Sequence, residues 1–97
     1  MQIQNILVIC IGNICRSPMA KYLIELQHPT LKVDSAGLSA MVGHQADEKA
    51  IACMDTVGID IREHRAKQIT ADLIKQSDLI LVMSNNQLKH IEQKWPF

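Results

Sequence analysis

The sequence predicts an α/β domain built on a parallel sheet. Short apolar runs alternate with segments of helical periodicity, the pattern of βαβ units. Two of these runs, Ile6-Leu7-Val8-Ile9 and Leu79-Ile80-Leu81-Val82, are apolar without a break, as strands covered on both faces must be. The first run passes through Gly12-Asn13 directly into a helical pattern, the strand–turn–helix order of a ligand-binding loop.

The elements follow in order. Ile6 to Ile9 is the first strand. Ser17-Pro18 reads as N-cap and first residue of a helix, whose apolar positions are Met19, Ala20, Leu23, Ile24 and Leu26 and which ends before Pro29. Leu31 to Ser35 predicts a second strand, and Ala36 to Ala46 a loop. Asp47 is placed to cap a helix that uses Ala50, Ile51, Met54 and Val57 and stops at Gly58. Residues 59–69 read as a mostly polar loop. Thr70 starts a short helix, with Asp72 favourable in its first turn. Leu79 to Met83 predicts a buried strand. Ser84 and Gln87 form a capping box for a last helix carrying Leu88 and Ile91. Trp95-Pro96-Phe97 closes the sequence on apolar residues.

The 97 residues suffice for one small domain, residues 1–97, with a modest core. Ten basic and ten acidic side chains cancel, which argues against a general nucleic-acid or anionic-membrane binder. The run before Cys10 is too short to insert in a membrane or to form a signal-peptide core, so a cytoplasmic protein is expected. Three cysteines, Cys10, Cys15 and Cys53, are an odd count that argues for free or reactive thiols. His28, His44 and His90 lack metal-ligand spacing, and no metal or other cofactor is expected.

The chemistry concentrates in Cys10-Ile11-Gly12-Asn13-Ile14-Cys15-Arg16-Ser17. Cys10 falls at the carboxyl end of the first strand, where open α/β sheets bind ligands. The backbone N–H groups of Ile11 to Ser17 and the helix start can converge on one tetrahedral dianion. Gly12 and Asn13 suit the positive φ such a nest needs. Arg16 offers a planar fork for two phosphate oxygens. A positive field of this kind favours thiolate over thiol, and Ser17 can cap the helix or give its hydroxyl to the sulfur. A bare Cys-x5-Arg is common by chance; its place between strand and helix is what makes it specific.

Val8 to Ala20 resembles the signature of the low-molecular-weight protein tyrosine phosphatases: a cysteine, Gly-Asn, Cys-Arg-Ser-Pro, then Ala. Asp34-Ser35-Ala36-Gly37, His64-Arg65-Ala66-Lys67-Gln68-Ile69 and Asp78 to Met83 resemble later segments of that family, in the same order. The resemblance implies a three-layer sandwich with a parallel sheet ordered 2-1-3 and helices on both faces. It implies Cys10 as nucleophile, Arg16 as phosphate clamp, and Asn13, Ser17, Ser35 and His64 as the network fixing the loop. It further implies Cys15 as a redox partner of Cys10, able to shield it from over-oxidation. Cys53 is expected to be a packing or surface residue.

The family's general acid lies in an Asp-Pro-Tyr-type loop beyond the third strand. The six aspartates here, at 34, 47, 55, 60, 72 and 78, precede no proline. The chain thus resembles the first two-thirds of a family member, without the fourth strand. Impaired turnover is expected, because general acid catalysis contributes about 10²–10⁴-fold, as is dimerisation through an open strand edge. Two departures from the family pattern are Lys21, where Glu is usual, and Lys67, where Arg is usual. Ile11 favours a flat aromatic substrate, and the loop Leu38-Ser39-Ala40-Met41-Val42-Gly43 resembles that of the bacterial subgroup acting on autophosphorylating tyrosine kinases of capsule or exopolysaccharide export. The expected partner is therefore a phosphotyrosine protein of that kind. Two other readings stand beside this one: a non-catalytic phosphate- or phosphotyrosine-binding module, and an arsenate reductase, for which Cys53 is the single downstream thiol.

Overall fold

The structure, a computed structural model, describes residues 2–95; Pro96 and Phe97, the last two residues of the apolar end, lie outside it. The elements are β1 (Asn5–Cys10), α1 (Arg16–Gln27), β2 (Lys32–Gly37), α2 (Glu48–Asp55), α3 (Ala71–Gln76), β3 (Leu79–Leu81) and α4 (Asn85–Lys94). The sheet is parallel with order β2-β1-β3. β1 is central because it is apolar on both faces. Ile6 and Val8 pack with Val33 against Ala20 and Ile24 of α1. Leu7 and Ile9 point the other way, into a cluster with Ile74 of α3 and Ile91 of α4. Period-two alternation along one strand therefore creates the two cores of a three-layer sandwich. A third cluster, Ala46, Ala50, Met54 and Ile61, seats α2 against Met19 and Tyr22 of α1. At the far end of the sheet, the Asp78 carboxylate accepts from the Gln4 and Asn5 amides at 2.9 Å each, and these bonds hold its pKa below the usual carboxylate value.

Several expectations need correction. α1 begins at Arg16 with Cys15 as N-cap. Ser17 cannot cap because its hydroxyl is committed to Cys10 and Asn13, and Pro18 sits within the first turn, where no N–H is needed. Leu23 and Leu26, assigned to the buried face, are exposed, as is Val57. β2 runs two residues further than predicted, to Gly37, because Gly37 pairs with Cys10 in register. β3 is three residues long and only partly buried, since among the described residues it pairs with β1 along one edge alone. The stretch 59–69 is polar in composition yet fixed: Ile61, His64, Ala66 and Ile69 are all buried. The caps are as expected for Asp47, which accepts from the Lys49 amide, and Thr70, which accepts from the Leu73 amide. In the box at α4, Ser84 accepts from the Gln87 amide, while the Gln87 side chain reaches the Met83 amide, one residue further back than predicted. No helix among the described residues is long and apolar enough to cross a membrane.

Candidate active site

β1 delivers Cys10 to the carboxyl edge of the sheet, 5 % exposed. The chain then turns through Asn13, at φ 58°, into α1. The carbonyls of this loop are all engaged from outside it. Cys10, Ile11 and Gly12 accept from the amides of Leu38, Ser39 and Met41, at 3.0 Å each. Asn13 accepts from His64 Nε2 at 2.6 Å. Ile14 accepts from the Asp47 amide at 2.6 Å and Cys15 from the Met19 amide at 3.2 Å. In a planar trans peptide the N–H opposes the C=O, so the amides of Ile11 to Arg16 turn to the inner side. The result is a concave row of donors at the start of a twelve-residue helix, suited to an anion.

The side chains under this cradle form a chain of hydrogen bonds that a main-chain donor orients from its outer end. The Lys67 amide can only donate, and it donates to Asn13 Oδ1 at 2.9 Å. Asn13 Nδ2 therefore points to Ser17 Oγ, at 2.8 Å. Ser17 Oγ accepts there and lies 2.9 Å from Cys10 Sγ, with its own hydrogen free to be donated to the sulfur. The Asn13 amide also donates to that sulfur at 3.3 Å. The Asn13 amide and the Ser17 hydroxyl thus both lie within hydrogen-bond reach of Sγ. Asn13 and Ser17 are fully buried, so their polar atoms depend on these bonds.

The structure thus joins Cys10, Asn13, Ser17 and His64. Ser35 is buried on β2 opposite Val8, but among the described residues its hydroxyl makes no hydrogen bond to the loop: the side-chain role expected there falls to the Lys67 main chain. Arg16 is exposed at the first turn of α1 and has no ion-pair partner among the described residues. Cys15 packs towards Ala46, Ala50 and Met54, and Cys53 is exposed on α2; all three thiols are free. Lys67 extends to an ion pair with Asp34. Lys21 pairs with Glu25 at 3.6 Å and lies over the Tyr22 ring.

His64 is 6 % exposed. Burial is the largest influence on it and lowers its pKa below the ordinary 6.5; the bond to Asn13 opposes this, and the positive Lys21 and Arg65 add to the lowering. The Lys21 departure thus bears on the site, since a glutamate there would act on His64 with the opposite sign. The ring is neutral at pH 7 and donates through Nε2–H to the carbonyl. With the folded pKa below the unfolded one, the unfolded chain binds the extra proton first. The stability that His64 contributes is therefore complete above about pH 6.5 and declines as pH falls towards the folded value. Chemical denaturation between pH 5 and 7 should show this decline, and His64→Ala should flatten it. An equal slope in both proteins would contradict the assignment.

Three participants escaped the sequence reading of the site: Gly37, the Lys67 amide and Gln68. Gly37 acts through close approach, Lys67 through its main chain and Gln68 through side-chain bonds to loop backbone, and the sequence signal for them was their membership in the segments 34–37 and 64–69.

Comparison with known proteins agrees with this geometry. The chain is 63% identical over 97 residues to the low molecular weight protein-tyrosine-phosphatase Ptp of Acinetobacter johnsonii, covering all of this chain and 68% of that protein. It superposes on the crystal structure of the Erwinia amylovora tyrosine phosphatase AmsI with a TM-score of 0.94 at 44% identity, covering 98% of this chain and 63% of that one. The Escherichia coli K30 tyrosine phosphatase Wzb, solved in complex with sulphate, gives 0.94 at 42% identity, with 98% and 66% covered. The chain spans about two thirds of the length of these relatives. The profile described as "Low molecular weight phosphotyrosine protein phosphatase" matches residues 5–96, and the chain belongs to that family.

Proposed function

We propose that this chain carries the nucleophile and phosphate clamp of a protein-tyrosine phosphatase. The observation that supports this best is the pairing of an inward row of loop amides with a sulfur that the Asn13 amide and the Ser17 hydroxyl both reach at its floor. In the proposed reaction the Cys10 thiolate attacks phosphorus in line, the P–O bond to the tyrosyl oxygen breaks, and a cysteinyl-phosphate forms. Water then attacks phosphorus, the S–P bond breaks, and inorganic phosphate and thiolate are released. The loop amides and Arg16 stabilise charge on the equatorial oxygens in both steps. No residue of this chain is assigned to protonate the departing oxygen, so aryl phosphates with acidic leaving groups are the favoured substrates of these 97 residues. Cys15 is the thiol proposed to shield Cys10 under oxidation.

The proposed partner is a phosphotyrosine protein, and more narrowly an autophosphorylating bacterial tyrosine kinase of capsule or exopolysaccharide export, in the cytoplasm. The aromatic-free loop 38–43 and the exposed apolar Ile11 beside the nucleophile support that choice. Rapid-quench mass spectrometry with p-nitrophenyl phosphate tests the chemistry. A phosphate adduct on Cys10 is expected, absent in Cys10→Ser. Phosphate binding without any adduct would instead establish a binding module.

A further inference from the structure

We infer that Gln68 is a positioning residue that sets the shape of the phosphate cradle by clamping the loop 38–41; the inference rests on the phosphatase reading only for the identity of the ligand. Gln68 is exposed, touches neither Cys10 nor Arg16 by any hydrogen bond, and belongs to no part of the mechanism above. Its side-chain amide is nevertheless used at both ends. Oε1 accepts from the Ala40 amide at 2.9 Å, and Nε2 donates to the Leu38 carbonyl at 2.8 Å. One planar group thus fixes the two adjacent peptide units that flank Ser39 in an irregular loop.

That loop is the one that engages the first half of the cradle. Leu38, Ser39 and Met41 donate to the carbonyls of Cys10, Ile11 and Gly12. If the loop rotates, these three carbonyls lose their outward partners and the amides of Ile11, Gly12 and Asn13 lose their common direction. The backbone around Gln68 is itself anchored. Gly37 bridges to Gln68, with the Gly37 amide donating to Lys67 O and the Ile69 amide to Gly37 O. Ala66 pairs with Gly43 and His44 on the far side of the loop. The strap 66–69 therefore closes the base of the loop, and the Gln68 side chain holds its first turn. A glutamine ordered at both ends loses rotamer freedom, a cost offset here by two hydrogen bonds to backbone groups that the cradle needs in place.

The test uses the 97-residue chain with Gln68→Met, which keeps length and removes both bonds, and Gln68→Glu, which keeps the acceptor for the Ala40 amide alone. Native-state hydrogen exchange and orthophosphate titration followed by NMR are the readouts. Thr70→Ala, which removes the α3 cap away from the site, serves as a control for general loss of stability. Gln68→Met should speed exchange at Leu38, Ser39 and Met41 while leaving Leu7, Val8 and Ile9 protected. It should also weaken orthophosphate binding about three- to tenfold, the range expected for lost backbone anchoring. Gln68→Glu should restore protection at Met41 more than at Leu38, and Thr70→Ala should leave phosphate binding unchanged. Unchanged exchange in the loop would overturn the clamp. Faster loop exchange with unaltered phosphate affinity would overturn its positioning role. Failure of the wild-type chain to bind orthophosphate would sink the phosphatase reading instead, and the exchange pattern would then decide the clamp by itself.

Discussion

Gly37→Ala is expected to dismantle the phosphate cradle. Gly37 ends β2 opposite Cys10, with its Cα facing the loop that follows Cys10. A Cβ built there lies 2.5 Å from the Ile11 carbonyl oxygen, 3.0 Å from Ala40 Cβ and 3.1 Å from Ala40 Cα. None of these is the end of a flexible side chain, so the backbone itself must yield. The Ile11 carbonyl is held in place by the Ser39 amide, and moving it breaks that bond and reorients the next peptide. The reason for glycine here is space, not conformation, for the positive-φ glycines are Gly43 and Gly58. Overpacking of this kind costs about 1–3 kcal/mol, and the displaced amides should weaken orthophosphate binding by at least about tenfold. Thermal unfolding and phosphate titration on the same sample measure both effects. A Gly37→Ala protein that binds phosphate like the parent would show that the Ile11 carbonyl moves freely.

Asn13→Ala should be the more damaging to stability. Asn13 is fully buried and contributes four hydrogen bonds: its side chain takes the Lys67 amide and gives to Ser17, its amide gives to Cys10 Sγ, and its carbonyl takes His64. Truncation leaves the Lys67 N–H without its acceptor, at a cost of about 1–3 kcal/mol. Alanine at φ 58° adds about 1–2 kcal/mol. Against a total of about 5–15 kcal/mol for a domain, this removes a large share of the stability. Asn13→Gly separates the two causes, since it keeps the backbone and loses only the side chain. Denaturant melts should rank wild type above Asn13→Gly above Asn13→Ala. Equal stability of the two variants would remove the backbone part of the argument.

The sheet and the cradle were legible in the sequence for different reasons. β1 declares itself by four consecutive apolar residues, and both of its cores follow from alternation. The loop declares itself by residue types with few other uses, a cysteine, Gly-Asn and an arginine at fixed spacing. What the sequence hid is whatever depends on backbone partners. Ser17 looked like a cap because Ser-Pro commonly is one, and only the three-dimensional path shows its hydroxyl committed to sulfur. Ser35 looked like a network member because it stands in a motif, whereas the side-chain acceptor of Asn13 is met by a main-chain amide that any residue but proline at position 67 could supply. β3 looked buried because its residues are apolar, but burial is a property of neighbours, and β3 has one strand beside it.

The outward carbonyls of the cradle also have a consequence for the order of assembly. Their six donors come from positions 19, 38, 39, 41, 47 and 64, and only the first is local. Loop-closure entropy must be met before such distant contacts return anything. On a nascent chain the peptide groups around Cys10 therefore stay hydrated and unaligned after β1 and α1 have been made. They take up their shared orientation only when the segment through Lys67 has docked. The setting of residue 10 is completed more than fifty residues later, so the loop reports that the surrounding fold has closed.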